Sequence, residues 1–276
     1  MFEVAQAYVV LSRVQTLSQL FLLSLPEKKI YCNPTAKYQT TSTSQLMIQD
    51  HAHWFNETDH FKLVCLNIRS LYKHFSDLKI VNTLLQADII CLTETWLNPN
   101  SQNYPLLENF HGYHCAYGNG NGVSVYCKKP VTVISFSSNA DHQILVIELT
   151  DIVVLVVYKS PKASLSKLKK TISNVLSTLS CSRNIVICGD FNFDFRTGIG
   201  NEVAAYLLSA GFTQIVASPT HVDGNCLDHT YVSQSLNNLS CSYFLNYPYY
   251  SDHNGICVQF LLNSDIQIGD NAESDF

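Results

Sequence analysis

Four short segments of this chain set an amide, several carboxylates and an imidazole at the borders of apolar runs. They are Leu66-Asn67-Ile68-Arg69, Thr93-Glu94-Thr95-Trp96, Gly189-Asp190-Phe191-Asn192 and Ser251-Asp252-His253. If the apolar runs are strands, their ends bring these side chains to one edge of a sheet. Such a set suits a divalent metal ion and a phosphate ester, because hard cations prefer oxygen ligands. Glu94 and Asn67, each just past an apolar run, can reach a metal there. Taken singly, such a Glu is a solvated loop residue and such an Asn a turn former. The segment 184–192 carries more. It runs a buried apolar strand into Gly189 and then projects Asp190 and Asn192 to the same side. Asp190 is placed to take a proton from water, and Asn192 to donate to a phosphate oxygen or orient the nucleophile. An Asp-rich turn is the plainer alternative. His253 is a candidate to contact a scissile phosphate and Asp252 to bind metal. Asp228, in Cys226-Leu227-Asp228-His229, is placed to orient the imidazole and hold its tautomer. A surface His, or a purely structural Asp–His pair, would look the same.

The elements that must position these groups are apolar runs with turn residues at their ends. Strands are expected at 61–66, 88–92, 122–126, 131–135, 144–149, 152–158, 185–188, 230–233 and 256–262. Leu71, Phe75, Leu78, Val81 and Leu85 follow three-to-four spacing and predict one helix; Leu165, Leu168, Ile172, Val175 and Leu179 predict a second. A third covers 203–208 and ends at Gly211, a suitable left-handed residue. Many strands with few helices between them imply stacked sheets with helices outside, a four-layer α/β sandwich. Residues 1–50 differ in character, ending in the Ser/Thr-rich stretch 40–45, and 264–276 form a polar tail, so the domain is expected at 60–263.

A hydrophobic fraction of 46% with 15 Tyr and 14 Phe supports a large packed core and excludes global disorder. The net charge of −5 argues against a protein that coats nucleic acid by bulk charge, though metal ions and local lysines can still meet phosphates. The ten cysteines include no CxxC pair, and several sit inside apolar runs, which fits reduced thiols inside a cell. No apolar stretch reaches the roughly 18 residues of a membrane span. The run 17–25 lacks the basic residues and cleavage site of a secretory signal.

The motifs, in order, resemble the endonuclease/exonuclease/phosphatase superfamily with its DNase I-like fold. They look most like the apurinic-type endonuclease domains of non-LTR retrotransposons. The carrying segments run from Leu66-Asn67-Ile68-Arg69-Ser70-Leu71 and Leu92-Thr93-Glu94-Thr95-Trp96-Leu97 through Gly120-Asn121-Gly122-Val123, Val157-Tyr158-Lys159-Ser160-Pro161, Gly189-Asp190-Phe191-Asn192, Pro219-Thr220 and Leu227-Asp228 to Ser251-Asp252-His253. The resemblance implies that Asn67, Glu94 and Asp252 surround Mg²⁺, with Mn²⁺ as a substitute. It implies that Asp190 and Asn192 position and activate water, and that Tyr158 contacts the phosphate. Asp228 with His253 would stabilise the pentavalent transition state. Arg69 stands where repair-type members carry a further acidic ligand, Lys159 replaces a frequent Arg, and Thr220 matches a position near bound DNA. These three are the expected DNA contacts.

The segment Gln6-Ala7-Tyr8-Val9-Val10-Leu11-Ser12-Arg13-Val14-Gln15-Thr16-Leu17 is similar to the last conserved motif of RecD-like helicases, whose arginine matches Arg13. A helicase remnant followed by such an endonuclease resembles the transposase of Helitron-type (Helentron) elements. No Walker A loop is present, so helicase activity is not expected. The expected function is a Mg²⁺-dependent phosphodiesterase that nicks DNA, a monomer of mobile-element origin, nuclear in a eukaryotic host and without a membrane partner. Two alternatives stand beside it: another phosphoesterase of this fold, acting on inositol phosphates, sphingomyelin or RNA, and a non-catalytic relic that binds DNA. Between Ile152 and Gly189 there is no acidic residue, while Lys159, Lys162, Lys167, Lys169 and Lys170 all fall there. They form either a solvated helix face or a track for a DNA backbone.

Overall fold

The computed structural model describes residue 54 and residues 60–261, apart from 119, 150–151, 180–182, 198–201, 238–240 and 249. The helicase-like segment and the polar tail lie outside the described residues. Two six-stranded mixed sheets make up the centre. The first contains β1 (His60–Asn67), β2 (Ile89–Thr93), β3 (His111–Cys115), β4 (Val123–Cys127), β11 (Cys241–Asn246) and β12 (Gly255–Leu261), in the order β11-β12-β1-β2-β4-β3. The second contains β5 (Thr132–Ser138), β6 (His142–Glu148), β7 (Ile152–Lys159), β8 (Asn184–Asp190), β9 (Phe212–Gln214) and β10 (Asp228–Ser233), in the order β5-β6-β7-β8-β10-β9.

Alternation along the strands explains the layers, because residues one apart face opposite sides of a sheet. Val64, Leu66, Ile90 and Leu92 share a core with Leu71 and Leu78 of α1 (Leu71–Leu78) and Leu84 of α2 (Asn82–Leu85). Val153, Leu155, Val157, Ile185 and Ile187 pack instead with Leu168 and Ile172 of α3 (Leu165–Thr178) and with Val203 and Leu207 of α4 (Glu202–Ser209). The opposite faces carry Cys65, Cys91 and Cys188, fully buried where β1 and β2 meet β7 and β8. Those thiols touch across the two sheets, and the described cysteines are all free. The result is helices, sheet, sheet, helices: the expected four-layer sandwich. Among the described residues no helix is long and apolar enough to cross a membrane.

The sequence expectation departs from the structure in two places. The helix expected over 71–85 is broken after Leu78, where Ile80 and Val81 donate to Asp77 and Leu78 in tight turns before α2 begins. The β-branched pair Ile80-Val81 favours that break. Val81 and Leu85 still pack on the same core, which is why the spacing runs through it. Strands β3, β9 and β11 and the four-residue α5 (Gln234–Asn237) were not anticipated. Strands β3, β9 and β11 lie at sheet edges, where one-sided burial leaves little apolar pattern.

Candidate active site

The chemistry-bearing segments leave the sheets at adjoining strand ends. In the first sheet, β1 and β2 run parallel with Asn67 beside Thr93. Backbone bonds continue past the strands: Ile68 N–H donates to Thr93 O (3.0 Å), Ser70 N–H to Glu94 O (2.9 Å) and Leu71 N–H to Thr95 O (2.9 Å). The Asn67 and Glu94 loops are thereby held side by side. In the second sheet, β7 and β8 run parallel with Tyr158 beside Asp190, and Asp190 in turn opposes Asp228 of β10.

This edge concentrates backbone strain. Arg69 (φ 47°), Ser70 (91°), Glu94 (49°), Trp96 (56°) and Asn192 (50°) all lie in the left-handed region; among the described residues only one other non-glycine, Asn109, does so. Such conformations cost of order 1–3 kcal/mol each and cluster where geometry serves function. Gly189 is obligatory here: at φ 143° its neighbour strand comes so close that a Cβ would lie 1.8 Å from Val157 O.

Asp190 is at the centre and fully buried. Its Oδ2 accepts from Asn67 Nδ2 (2.9 Å) and Asn192 Nδ2 (3.1 Å), and its Oδ1 from Asn192 N–H (2.9 Å). Burial and the Asp228 carboxylate push its pKa above the usual carboxylate range, against the opposing pull of His253 and the Asn192 N–H. Asn192 Nδ2 also donates to Lys159 O (2.8 Å), so both its amide hydrogens are spent. Of the two roles expected for Asn192, donation to a phosphate oxygen has no hydrogen left, and orienting the nucleophile through Oδ1 remains.

Asp228 Oδ2 bonds His253 Nδ1 at 2.8 Å, with both side chains buried. Burial disfavours the imidazolium, but the Asp228 charge and hydrogen bond outweigh it and hold the His253 pKa well above its ordinary value. Its Nε2 is left facing Asp252, 3.9 Å from Oδ1. The loop carrying His253 is pinned by Ser251, whose hydroxyl donates to Asn67 O (2.8 Å) and accepts from His253 N–H (3.1 Å). Tyr158 is buried against Glu94, and its hydroxyl is driven above its ordinary pKa by burial, then by Glu94 and Asp190.

The three expected DNA contacts divide. Arg69, half-exposed, reaches Asp252 Oδ2 at 2.5 Å. Lys159 is 2% exposed and its Nζ donates inward to Ser160 O (2.9 Å) and Pro161 O (3.1 Å). Thr220 is fully buried; its Oγ1 accepts from Leu227 N–H (3.0 Å) and Asp228 N–H (2.9 Å) and so fixes the start of β10. Burial therefore turns Lys159 and Thr220 from surface contacts into supports beneath the site. Residue-by-residue reading missed His221: its ring lies 4.8 Å from that of His253, and its Nε2 is 3.6 Å from Asp252 Oδ2. Its position directly after Pro219-Thr220 was the available signal.

Asn67, Glu94 and Asp252 offer only oxygen ligands, as a hard divalent cation requires. Asp252 Oδ1 and Asp228 Oδ1 are buried without a hydrogen-bond partner, the state expected of oxygens shaped for a cation. Asp252, His221 and His253 also cluster closely enough to share an ion, as do Asp190, Asp228 and His253. The donor set fits the divalent ion that the resemblance implied.

Two stacked mixed sheets with helices outside, and carboxylates, amides and an imidazole at one edge, define a sandwich of the DNase I-like class. The chain belongs to the endonuclease/exonuclease/phosphatase family, whose pattern it matches over residues 64–253. Similar solved structures include the endonuclease domain of TRAS1, a telomere-specific non-LTR retrotransposon, at 16% identity and a TM-score of 0.57, covering 73% of this chain and 98% of that one. An AP endonuclease from Archaeoglobus fulgidus matches at 15% identity and a TM-score of 0.60, covering 73% and 100%. The 3′ phosphatase NExo from Neisseria, bound to a product DNA hairpin, matches at 15% identity and a TM-score of 0.61, covering 72% and 99%. A search of curated proteins gives no significant match.

Proposed function

We propose that this chain is a Mg²⁺-dependent endonuclease of mobile-element origin, a monomer that nicks DNA by attack of water on a phosphodiester and acts in the nucleus of a eukaryotic host. The observation that carries the reading is the convergence on Asp190 of Asn67, Asn192 and the Asp228–His253 pair. Burial raises the proton affinity of Asp190 and makes it a stronger base toward water. Asn192, its donors engaged, orients that water through Oδ1. His253, held as an imidazolium by Asp228, donates from Nε2 to a phosphate oxygen as negative charge develops. Tyr158 adds a hydroxyl on the opposite side of Asp190 from Asp228. Glu94, Asn67 and Asp252 would hold Mg²⁺, or Mn²⁺ in its place, which when bound neutralises phosphate charge and helps the leaving oxygen depart.

The test is nicking of supercoiled plasmid by the purified protein with Mg²⁺, beside EDTA and the Asp190→Ala variant. Nicking that both controls reduce by about 10³-fold or more is the expected result. Nicking that survives Asp190→Ala would refute the assignment. Folded protein that leaves DNA intact but hydrolyses inositol phosphates, sphingomyelin or RNA would move the substrate elsewhere within the fold.

A further inference from the structure

Beside the candidate active site, a groove of about 570 Å³ is lined by the β5–β6 turn (Asn139, Asp141 and His142) and by Lys167 and Lys170 of α3. Its position follows from sheet register. His142 pairs with Lys159 across β6 and β7, and Tyr158 pairs with Asp190 across β7 and β8. Two steps between neighbouring strands put the backbone of His142 roughly 10 Å from that of Asp190, at the same end of the sheet. Ser160 ties the two regions together. Its N–H donates to Asp141 O (2.9 Å), and its hydroxyl bonds Ala140 O (2.8 Å) and Asn121 Oδ1 (2.9 Å).

The groove is built to receive negative charge. Asp141 is the one carboxylate among its lining residues, and Lys167 Nζ sits 2.7 Å from it, which leaves Lys170 as the uncompensated charge. Beneath lies a buried donor with nothing to donate to. Asn139 Oδ1 accepts from Asp141 N–H (2.9 Å) and His142 N–H (3.0 Å), which fixes the amide so that Nδ2 faces His142 Nε2 at 3.3 Å. Nε2 is therefore the acceptor, and the ring proton sits on Nδ1. His142 is only 3% exposed, and Nδ1 has no partner. Leaving such a donor unmet costs about 1–3 kcal/mol, a cost that an anion offsets.

We propose that this groove is a phosphate subsite for the strand being cut, in which Lys170, with Lys167 and the His142 N–H behind it, holds a backbone phosphate flanking the scissile one. The subsite deepens the DNA-nicking reading and rests on it.

The experiment measures KM and kcat for nicking by the full chain on two duplexes, one extending well past the cut on both sides and one truncated next to it. Lys170→Met and Lys167→Met/Lys170→Met are compared with Lys169→Met, which removes the same charge from the same helix outside the groove. Lys170→Met should raise KM on the long duplex several-fold, with the loss in KM rather than kcat, and lower the slope of log KM against log salt by about one. The double variant should reach about tenfold, and the truncated duplex should show neither effect. Circular dichroism checks that each variant is folded. Unchanged KM and salt slope in a nicking-competent Lys170→Met protein would overturn the subsite alone. An equal effect from Lys169→Met, or on the truncated duplex, would do the same by showing only diffuse attraction. Folded wild-type protein that neither binds nor cuts DNA would overturn the nuclease reading and the subsite with it.

Discussion

At the scale of single residues, the site divides into groups that act and groups that hold them. Asp228 acts on His253 through one 2.8 Å hydrogen bond that fixes the ring's orientation and charge. Asp228→Asn should lower kcat by about 10² or more and drop the His253 pKa toward its ordinary value, which an NMR titration of the imidazole would read. A titration midpoint that does not move would refute that coupling. Thr220 holds: its hydroxyl accepts two backbone N–H groups at the start of β10. Thr220→Val leaves both donors unmet, and the expected cost of about 1–3 kcal/mol should appear as a lower urea midpoint. A direct DNA contact would weaken binding without moving that midpoint.

At the scale of elements, β8 decides the geometry. It ends by passing so close to β7 that only glycine fits at position 189, and the chain then turns through the left-handed Asn192. Gly189→Ala should destabilise the protein by at least about 3 kcal/mol or prevent folding, through both the steric clash and the positive φ. Soluble yield and the urea midpoint test it, and a variant of normal stability would show that the two strands can separate at little cost. The edge strands explain what pattern reading could not reach. Strands buried on both faces, such as β7 with eight buried residues, read as apolar runs, whereas β3 (His-Gly-Tyr-His-Cys) is exposed at one end and holds no aliphatic side chain. Its pairing with β4 comes from the neighbour and not from its own composition.

At the scale of the whole molecule, buried imidazoles tie stability to pH. Burial lowers the His229 pKa to about 4, although carbonyls of Cys226 and Phe193 and the nearby carboxylates pull the other way; the ring stacks on Phe191 at 4.8 Å. A folded-state value below the ordinary 6.5 means that the fold holds this group neutral. Its contribution is present above pH 6.5 and is lost as pH falls through about 4. Urea unfolding between pH 7 and pH 4 should therefore show a loss of about 3 kcal/mol from this group, over and above the carboxylates. A His229→Phe variant that shows the same loss over that window as the parent would place His229 in contact with water; the comparison cancels Asp190, whose raised pKa works in the opposite sense there.

By itself the sequence determined most of the strands and helices of the sandwich, the family, and which polar side chains stand at the strand ends as candidates. Apolar runs of the right length encode buried strands locally, and each motif lies directly after such a run or before one, as Gly189-Asp190-Phe191-Asn192 and Ser251-Asp252-His253 do. Tertiary structure alone decided what those side chains touch. Asn67 meets Asp190 across 123 residues, and Arg69 meets Asp252 across 183. The first depends on how the two sheets stack, the second on β12 lying beside β1 within one sheet. Pairing within the second sheet set Lys159 O against the Asn192 amide, and the bridge between His221 and His253 brought those two rings together. Burial and hydrogen-bond partnership belong to pairs of distant residues, and no local pattern in the chain records them.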